Sequence, residues 1–238
     1  MIDIDQGTPE RVWSESGRLR RLTEFASGEP ARVVVIAPHP DDETLGLGGT
    51  LSMLAKRAAI RVIALTEGEA SHPPALIAKN DLASLRARER ELALSRLGLE
   101  GAELVRLDLG DGRLSERTDL ARRLAPLIAG ASYVFAPFRH DGHPDHDAAG
   151  RAAAHAAEAC AVRLYEYPVW AWHWARPDRE DLPWWRARRV ALAPDAQLKK
   201  AYAVRAYRSQ IAPLALGRTV LPDTVLAHFA RDFEVLFV

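Results

Sequence analysis

The chain has 238 residues, 48% hydrophobic and 27% charged, which suits one large folded domain rather than a disordered or fibrous chain. Lys plus Arg and Asp plus Glu both number 32, so the net charge is zero, which argues against a general nucleic-acid or anionic-membrane binder. A single cysteine, Cys160, excludes an intramolecular disulfide and a cysteine-based metal site, and its Ala-rich surroundings suit a buried helical position.

Thr8-Pro9-Glu10 reads as a helix start, with Thr at the cap and Pro at the first helical position, and a polar helix is expected to about Ala26. The polar start MIDIDQGTPERVW is no signal peptide, and no apolar run approaches the ~20 residues of a membrane span, so the cytoplasm is the default location. Residues 32–37 are apolar almost throughout, as a parallel strand covered on both faces would be. A helix follows over 44–59, a strand over 61–66 and a loop over 68–74. Residues 81–97 read as an amphipathic helix with Leu82, Leu85, Leu92 and Leu97 on or near one face, ended by Gly98. Then come a strand at 103–107, a turn at 110–112, a helix at 119–128 and a strand at 133–136. A polar loop over 137–147 leads to a helix at 148–161 and a strand at 163–167. The pattern then weakens: a Trp-rich stretch, a strand near 188–193, a helix near 195–208 and a terminal apolar FEVLFV.

Strands and helices alternate five times, the pattern of a Rossmann-like α/β fold with an open, mostly parallel sheet flanked by helices. Residues 31–166 form its core, and 167–238 a less regular extension of the same domain that shapes a pocket. Ligands in such folds sit beyond the carboxyl ends of the strands, where the strand order reverses. Two unusual loops leave carboxyl ends. APHPDDETLGLGG (37–49) follows the first strand, and RHDGHPDHDAAG (139–150) follows the fourth.

The two loops share one chemistry. His39 and Asp42 are three apart, as are His143 and His146, and each pair begins with a His-Pro whose proline stiffens the backbone. Acids and imidazoles so crowded need a cation, a helix N-terminus or solvent to compensate them. A catalytic zinc takes three protein ligands and keeps one position open. His39, Asp42 and His146 supply such a set, leaving Asp41 beside it as a base and His143 as an acid. Iron or another divalent ion would suit the same donors.

PHPDDE (38–43) with HPDH (143–146) resembles the PIG-L/LmbE-type N-acetylglucosaminyl deacetylases. The resemblance implies a zinc-dependent hydrolase that removes acetyl from an N-acetylated amino sugar or glycoconjugate. It implies His39, Asp42 and His146 as zinc ligands, Asp41 as general base and His143 as an assisting acid. Asp145 is expected to orient an imidazole, and Glu43 to bind amides of its own loop or to face the helix dipole. Arg88-x-x-Glu91 resembles the family's helix whose Arg faces the substrate. Lys200 and Ser209-Gln210 resemble a common C-terminal pattern without a clear chemical role. One departure stands out: some members carry an oxyanion-stabilising Tyr two residues before the HPDH His, and here that residue is Asp141.

EYPVWAWHW (166–174) has aromatics at alternating positions, which suits a strand face in the core or a sugar-stacking wall. On the second reading Trp170, Trp172 and His173 bind substrate, and at least one lies near the metal. Trp184-Trp185 would suit a contact between copies of the chain. Two other functions compete. A phosphoesterase would want basic residues, and only Arg139 and His140 adjoin the HPDH loop. A catalytically silent sugar- or metal-binding module would have lost a ligand or the base, and none is missing. A dinucleotide reading of GLGGT (46–50) is weak, because its glycines come late after the strand.

Overall fold

The computed structural model describes residues 6–26, 28–213 and 219–238. Among them the strands β1 (Arg32–Ala37), β2 (Ala59–Ala64), β3 (Glu103–Arg106), β4 (Tyr133–Pro137), β5 (Leu164–Tyr167), β6 (Ala187–Ala191) and β7 (Phe233–Phe237) form one sheet. Its order is β3-β2-β1-β4-β5-β7-β6. The first five strands are parallel, and β7 runs antiparallel to both β5 and β6. The expected open α/β sheet is therefore present, with two antiparallel strands closing one edge.

The helices are α1 (Glu10–Ser16), α2 (Asp42–Leu54), α3 (Lys79–Leu97), α4 (Leu120–Ile128), α5 (Pro144–Cys160), α6 (Ala171–Trp174), α7 (Pro194–Val204), α8 (Arg208–Ile211) and α9 (Asp223–Leu226). Successive residues of β1 point to opposite faces. Val33 and Val35 pack with Leu45, Leu51, Leu94 and Leu97 of α2 and α3, while Val34 and Ile36 pack with Leu124, Ile128, Ala149 and Ala153 of α4 and α5. Each of these Val, Leu and Ile side chains contributes roughly 1.5–3 kcal/mol through burial. Covering both faces makes β1 apolar, and it leaves the carboxyl ends of the strands as the open side. No helix among the described residues is long and apolar enough to cross a membrane.

Some elements differ from the expectation. The N-terminal helix stops at Ser16, because Gly17 adopts a left-handed φ of 62° and ends it. Pro9 is its N-cap, and the Thr8 hydroxyl donates to Ala175 O instead of capping. Helices α2 and α5 start at Asp42 and Pro144, inside the polar loops rather than after them. Leu92 lies outward on α3, 46% exposed, because the buried face of that helix carries Arg86, Glu89 and Arg90. Cys160 is half-buried at the end of α5. Trp185 is exposed as expected, but Trp184 is half-buried, with the Arg18 guanidinium 4.3 Å over its ring.

The glycines after Glu43 allow α2 to lie close to its neighbours. A Cβ at Gly46 would come within 2.4 Å of the Tyr167 ring, and one at Gly49 within 2.5 Å of Leu192. This closeness also brings Glu234 of β7 to the α2 backbone. Its carboxylate accepts from Gly49 N (2.9 Å) and Thr50 N (2.8 Å), and Lys200 Nζ donates to it at 2.7 Å. Both side chains are buried. Lys200 therefore neutralises the acid that ties β7 to the helix carrying Asp42. Removing one member of a buried pair strands the other charge and costs about 3–5 kcal/mol. Lys200→Met is expected to lower the melting temperature by on the order of 10 °C. A scanning-calorimetry shift of about 2 °C or less, the size of a surface change, would refute this role.

Candidate active site

Strand order decides where the two polar loops meet. The chain leaves β1 for β2 and β3 on one side, then returns to β4 and β5 on the other, so the crevice opens between the ends of β1 and β4. Three donor atoms converge there. His39 Nδ1 and Asp42 Oδ2 are 3.2 Å apart, His146 Nε2 and Asp42 Oδ2 3.2 Å, and His146 Nε2 and His39 Nδ1 3.3 Å. A tetrahedral ion with ligands at 2.0–2.2 Å spaces neighbouring donors by about 3.3 Å. Two imidazole nitrogens and a carboxylate oxygen facing one point offer three lone pairs to a cation there. The donor set thus fits one divalent ion. His39 also lies in two groups of donors within 4.8 Å of one another, with His143 and His146 and with Asp111 and Asp145.

The surroundings fix the orientation of each ligand. His39 Nε2 faces Asp145 Oδ2 at 3.3 Å and Asp111 Oδ1 at 3.2 Å, which leaves Nδ1 for the centre. Asp145 is held by Gly112 N (2.7 Å) and Leu114 N (3.0 Å), and the imidazole it faces is that of His39. His146 Nδ1 donates to Asp141 Oδ2 at 2.8 Å. Burial opposes protonation of His146, but Asp42 and Asp141 outweigh it and raise its pKa to about 9. Burial likewise opposes a charge on Asp42, yet the two imidazoles hold it well below the usual carboxylate range.

Asp41 stands beside this triangle in a rare backbone conformation, with φ 125°. A non-glycine residue there costs roughly 1–3 kcal/mol and persists only where neighbours over-determine it. The neighbour here is Arg86. Its Nη2 donates to Pro40 O (2.6 Å) and Asp41 Oδ2 (3.0 Å), and its Nη1 to Gly68 O (2.9 Å). Burial pushes the Asp41 carboxyl up to about 7 despite Arg86. His143 is the N-cap of α5, and its Nδ1 accepts from Asp145 N at 3.2 Å. Burial, then the charges on His146 and His39, lower it to about 4. Its Nδ1 is occupied as an acceptor, so the neutral ring carries its proton on Nε2.

These groups line a cavity of about 270 Å³, together with Arg86, Asp111, Gln210 and an apolar wall of Val169, Trp170 and Leu221. Trp170 is therefore the member of the aromatic segment that reaches the metal pocket. Trp172 is buried elsewhere, edge-on to Trp13 at 5.2 Å. His173 is buried against Gly7, its carbonyl accepting from Thr8 N at 2.7 Å. The short helix α6 replaces the expected alternation with helical spacing, which turns those two away. Arg88 is exposed and does not line the pocket. The buried R-x-x-E is Arg86-x-x-Glu89, two residues earlier, with Glu89 accepting from Ser209 N and Oγ at 2.7 and 2.6 Å. Glu43 lies in the first turn of α2, where its acid faces the helix N-terminus, and its Oε1 also accepts from the Tyr207 and Thr44 hydroxyls at 2.9 and 3.1 Å. Asp111 and Asp141 were not marked as site residues by the motifs. The Gly-Asp-Gly turn around Asp111 is a loop signal, and Asp141 stands out only as a departure from Tyr.

The chain is similar in sequence or in fold to several deacetylases. Diacetylchitobiose deacetylase of Thermococcus kodakarensis is 29% identical over 137 residues, 53% of this chain and 51% of that protein. The chain thus spans about half the length of that relative. The 1D-myo-inositol 2-acetamido-2-deoxy-alpha-D-glucopyranoside deacetylase of Mycolicibacterium vanbaalenii is 27% identical over 244 residues, 80% of this chain and 84% of that one. The structure of N,N'-diacetylchitobiose deacetylase from Pyrococcus horikoshii superposes with a TM-score of 0.60 at 22% identity, covering 89% of this chain and 81% of that one, which speaks to the fold. Residues 34–157, just over half of the chain, match the family described as PIG-L, GlcNAc-PI de-N-acetylase, and the chain belongs to that family.

Proposed function

We propose that this chain is a zinc-dependent hydrolase that removes the acetyl group from an N-acetylated amino sugar or glycoconjugate. One observation carries the reading. A carboxylate with a pKa of about 7, Asp41, and a neutral imidazole, His143, line one cavity beside a His/Asp/His donor triangle. His39, Asp42 and His146 would hold the ion. When bound, it supplies Lewis acidity to an amide carbonyl and lowers the pKa of its water toward ~7.

The chain's own residues supply the proton chemistry. Asp41 takes a proton from the attacking water, since a base works best with a pKa near the operating pH. His143 donates its Nε2–H to the oxygen of the tetrahedral adduct, as a neutral donor rather than an acid. Asp41 then returns the proton to the nitrogen, the C–N bond breaks, and acetic acid and the amine leave, as acetate and ammonium at neutral pH. Trp170 offers a ring for a sugar face, and Asp111 and Gln210 offer partners for hydroxyls. The cavity does not suit a phosphoester. Of its charged lining, Asp41, Asp42 and Asp111 are acidic and Arg86 is already paired with Asp41. Arg139, beside the HPDH loop, is held by Glu166 at 2.7 and 3.1 Å.

Zinc-loaded protein is expected to release acetate from N-acetylglucosamine or N,N'-diacetylchitobiose, read by an enzyme-coupled acetate assay. A loaded protein that releases acetate from no N-acetyl sugar but hydrolyses phosphoesters would overturn the proposal.

A further inference from the structure

Asp141 departs from the family pattern, and its surroundings give it another task. Its side chain is fully buried. Oδ1 accepts from Val169 N and Ala171 N, each at 2.9 Å, and Oδ2 accepts from Trp170 N at 2.9 Å and His146 Nδ1 at 2.8 Å. A carboxylate has about four lone-pair sites, so these donors occupy all of them. Surrounded by four donors, Asp141 has no place from which to donate to an oxyanion, and it does not line the cavity.

We propose that Asp141 is a positioning residue that couples the metal ligand His146 to the wall of the substrate pocket. Its hold on Nδ1–H fixes one tautomer and turns the Nε2 lone pair of His146 toward His39 and Asp42. Its hold on three consecutive amides fixes the turn over residues 169–171, from which Val169 and Trp170 enter the cavity. Neither job can be lost without straining the other, because one rigid carboxylate does both. Its own loop is braced from outside: Trp174 Nε1 donates to Asp141 O at 2.7 Å, and Asp141 N donates to Phe138 O at 3.0 Å. The inference rests on the metal centre proposed above, but not on the identity of the substrate.

The test uses zinc alone. In Asp141→Asn one oxygen becomes an NH2 group, so two of the four donors lose their acceptor. Zinc affinity, measured by competition with a chromophoric chelator, is expected to fall about 10–100-fold. Acrylamide quenching of Trp170, taken as the difference between proteins with and without Trp170→Phe, is expected to rise. Native zinc affinity or native quenching in the folded variant would overturn the proposal. Should Asp141→Asn fail to fold, the native protein still decides. Nitrogen-15 shifts of labelled histidine in the zinc-loaded protein must show His146 protonated at Nδ1, and protonation at Nε2 would sink the idea. A native protein that binds no zinc would overturn both readings. Normal zinc binding without acetate release would overturn only the proposed activity.

Discussion

His146→Ala is expected to lose its metal, falling from about one divalent ion per chain to near none after dialysis, and turnover is expected to fall with it. The change removes one corner of a triangle whose edges are 3.2–3.3 Å. The remaining His39 and Asp42 give too few donors for a tightly held ion, and the Asp141 carboxylate loses one of its four donors. Elemental analysis of native and variant protein reads the loss directly. His155→Ala, an exposed position on the same helix, controls for histidine content and should leave occupancy unchanged. A His146→Ala protein that keeps a full ion would move the site to the other side of the His39 ring. There Asp111 and Asp145 stand with it within 4.8 Å, and Asp111→Asn would then be the variant that empties it.

The parts of this site that could be read from the sequence are those whose geometry is local. His39 and Asp42 share one tight turn, and His143 and His146 share the first turn of one helix, so spacing alone puts each pair together. The alternation of strands and helices puts both loops at carboxyl ends, where they could converge, and the sheet order makes β1 and β4 neighbours. The arginine was misassigned for a physical reason. Helix α3 repeats Arg and Glu so densely that R-x-x-E fits in two frames. The inner frame is set by Leu82, Ala93 and Leu97, which places residues 86, 89 and 90 inward. The aromatic segment misled differently. Alternation predicted a strand face or a pocket wall, but the amides of 169–171 are gathered by Asp141 into a turn. That long-range contact leaves no periodic trace in the sequence. Lys200 was similarly opaque, because its partner Glu234 lies 34 positions away on β7.

Asp41→Asn is expected to lower kcat by about 10²–10⁴-fold, the usual contribution of a positioned base, while the metal stays bound. The substitution is close to isosteric, and Asn is among the residues that tolerate positive φ best, so the φ of 125° should not unfold the loop. The amide oxygen can still accept from Arg86, which keeps the guanidinium paired across the 3.0 Å contact. The ligands His39, Asp42 and His146 are untouched. What changes is proton affinity: a carboxylate raised to about 7 by burial can take a proton from water and return it to an amine, and an amide can do neither. Because KM reflects the wall and the hydroxyl contacts, it should move far less than kcat. Steady-state kinetics with parallel metal analysis separates the cases. A large loss in kcat at full occupancy assigns the proton transfer to Asp41. Near-native kcat would pass it to His143, which would then have to titrate far above the value of about 4 that burial and its two neighbouring imidazoles give it.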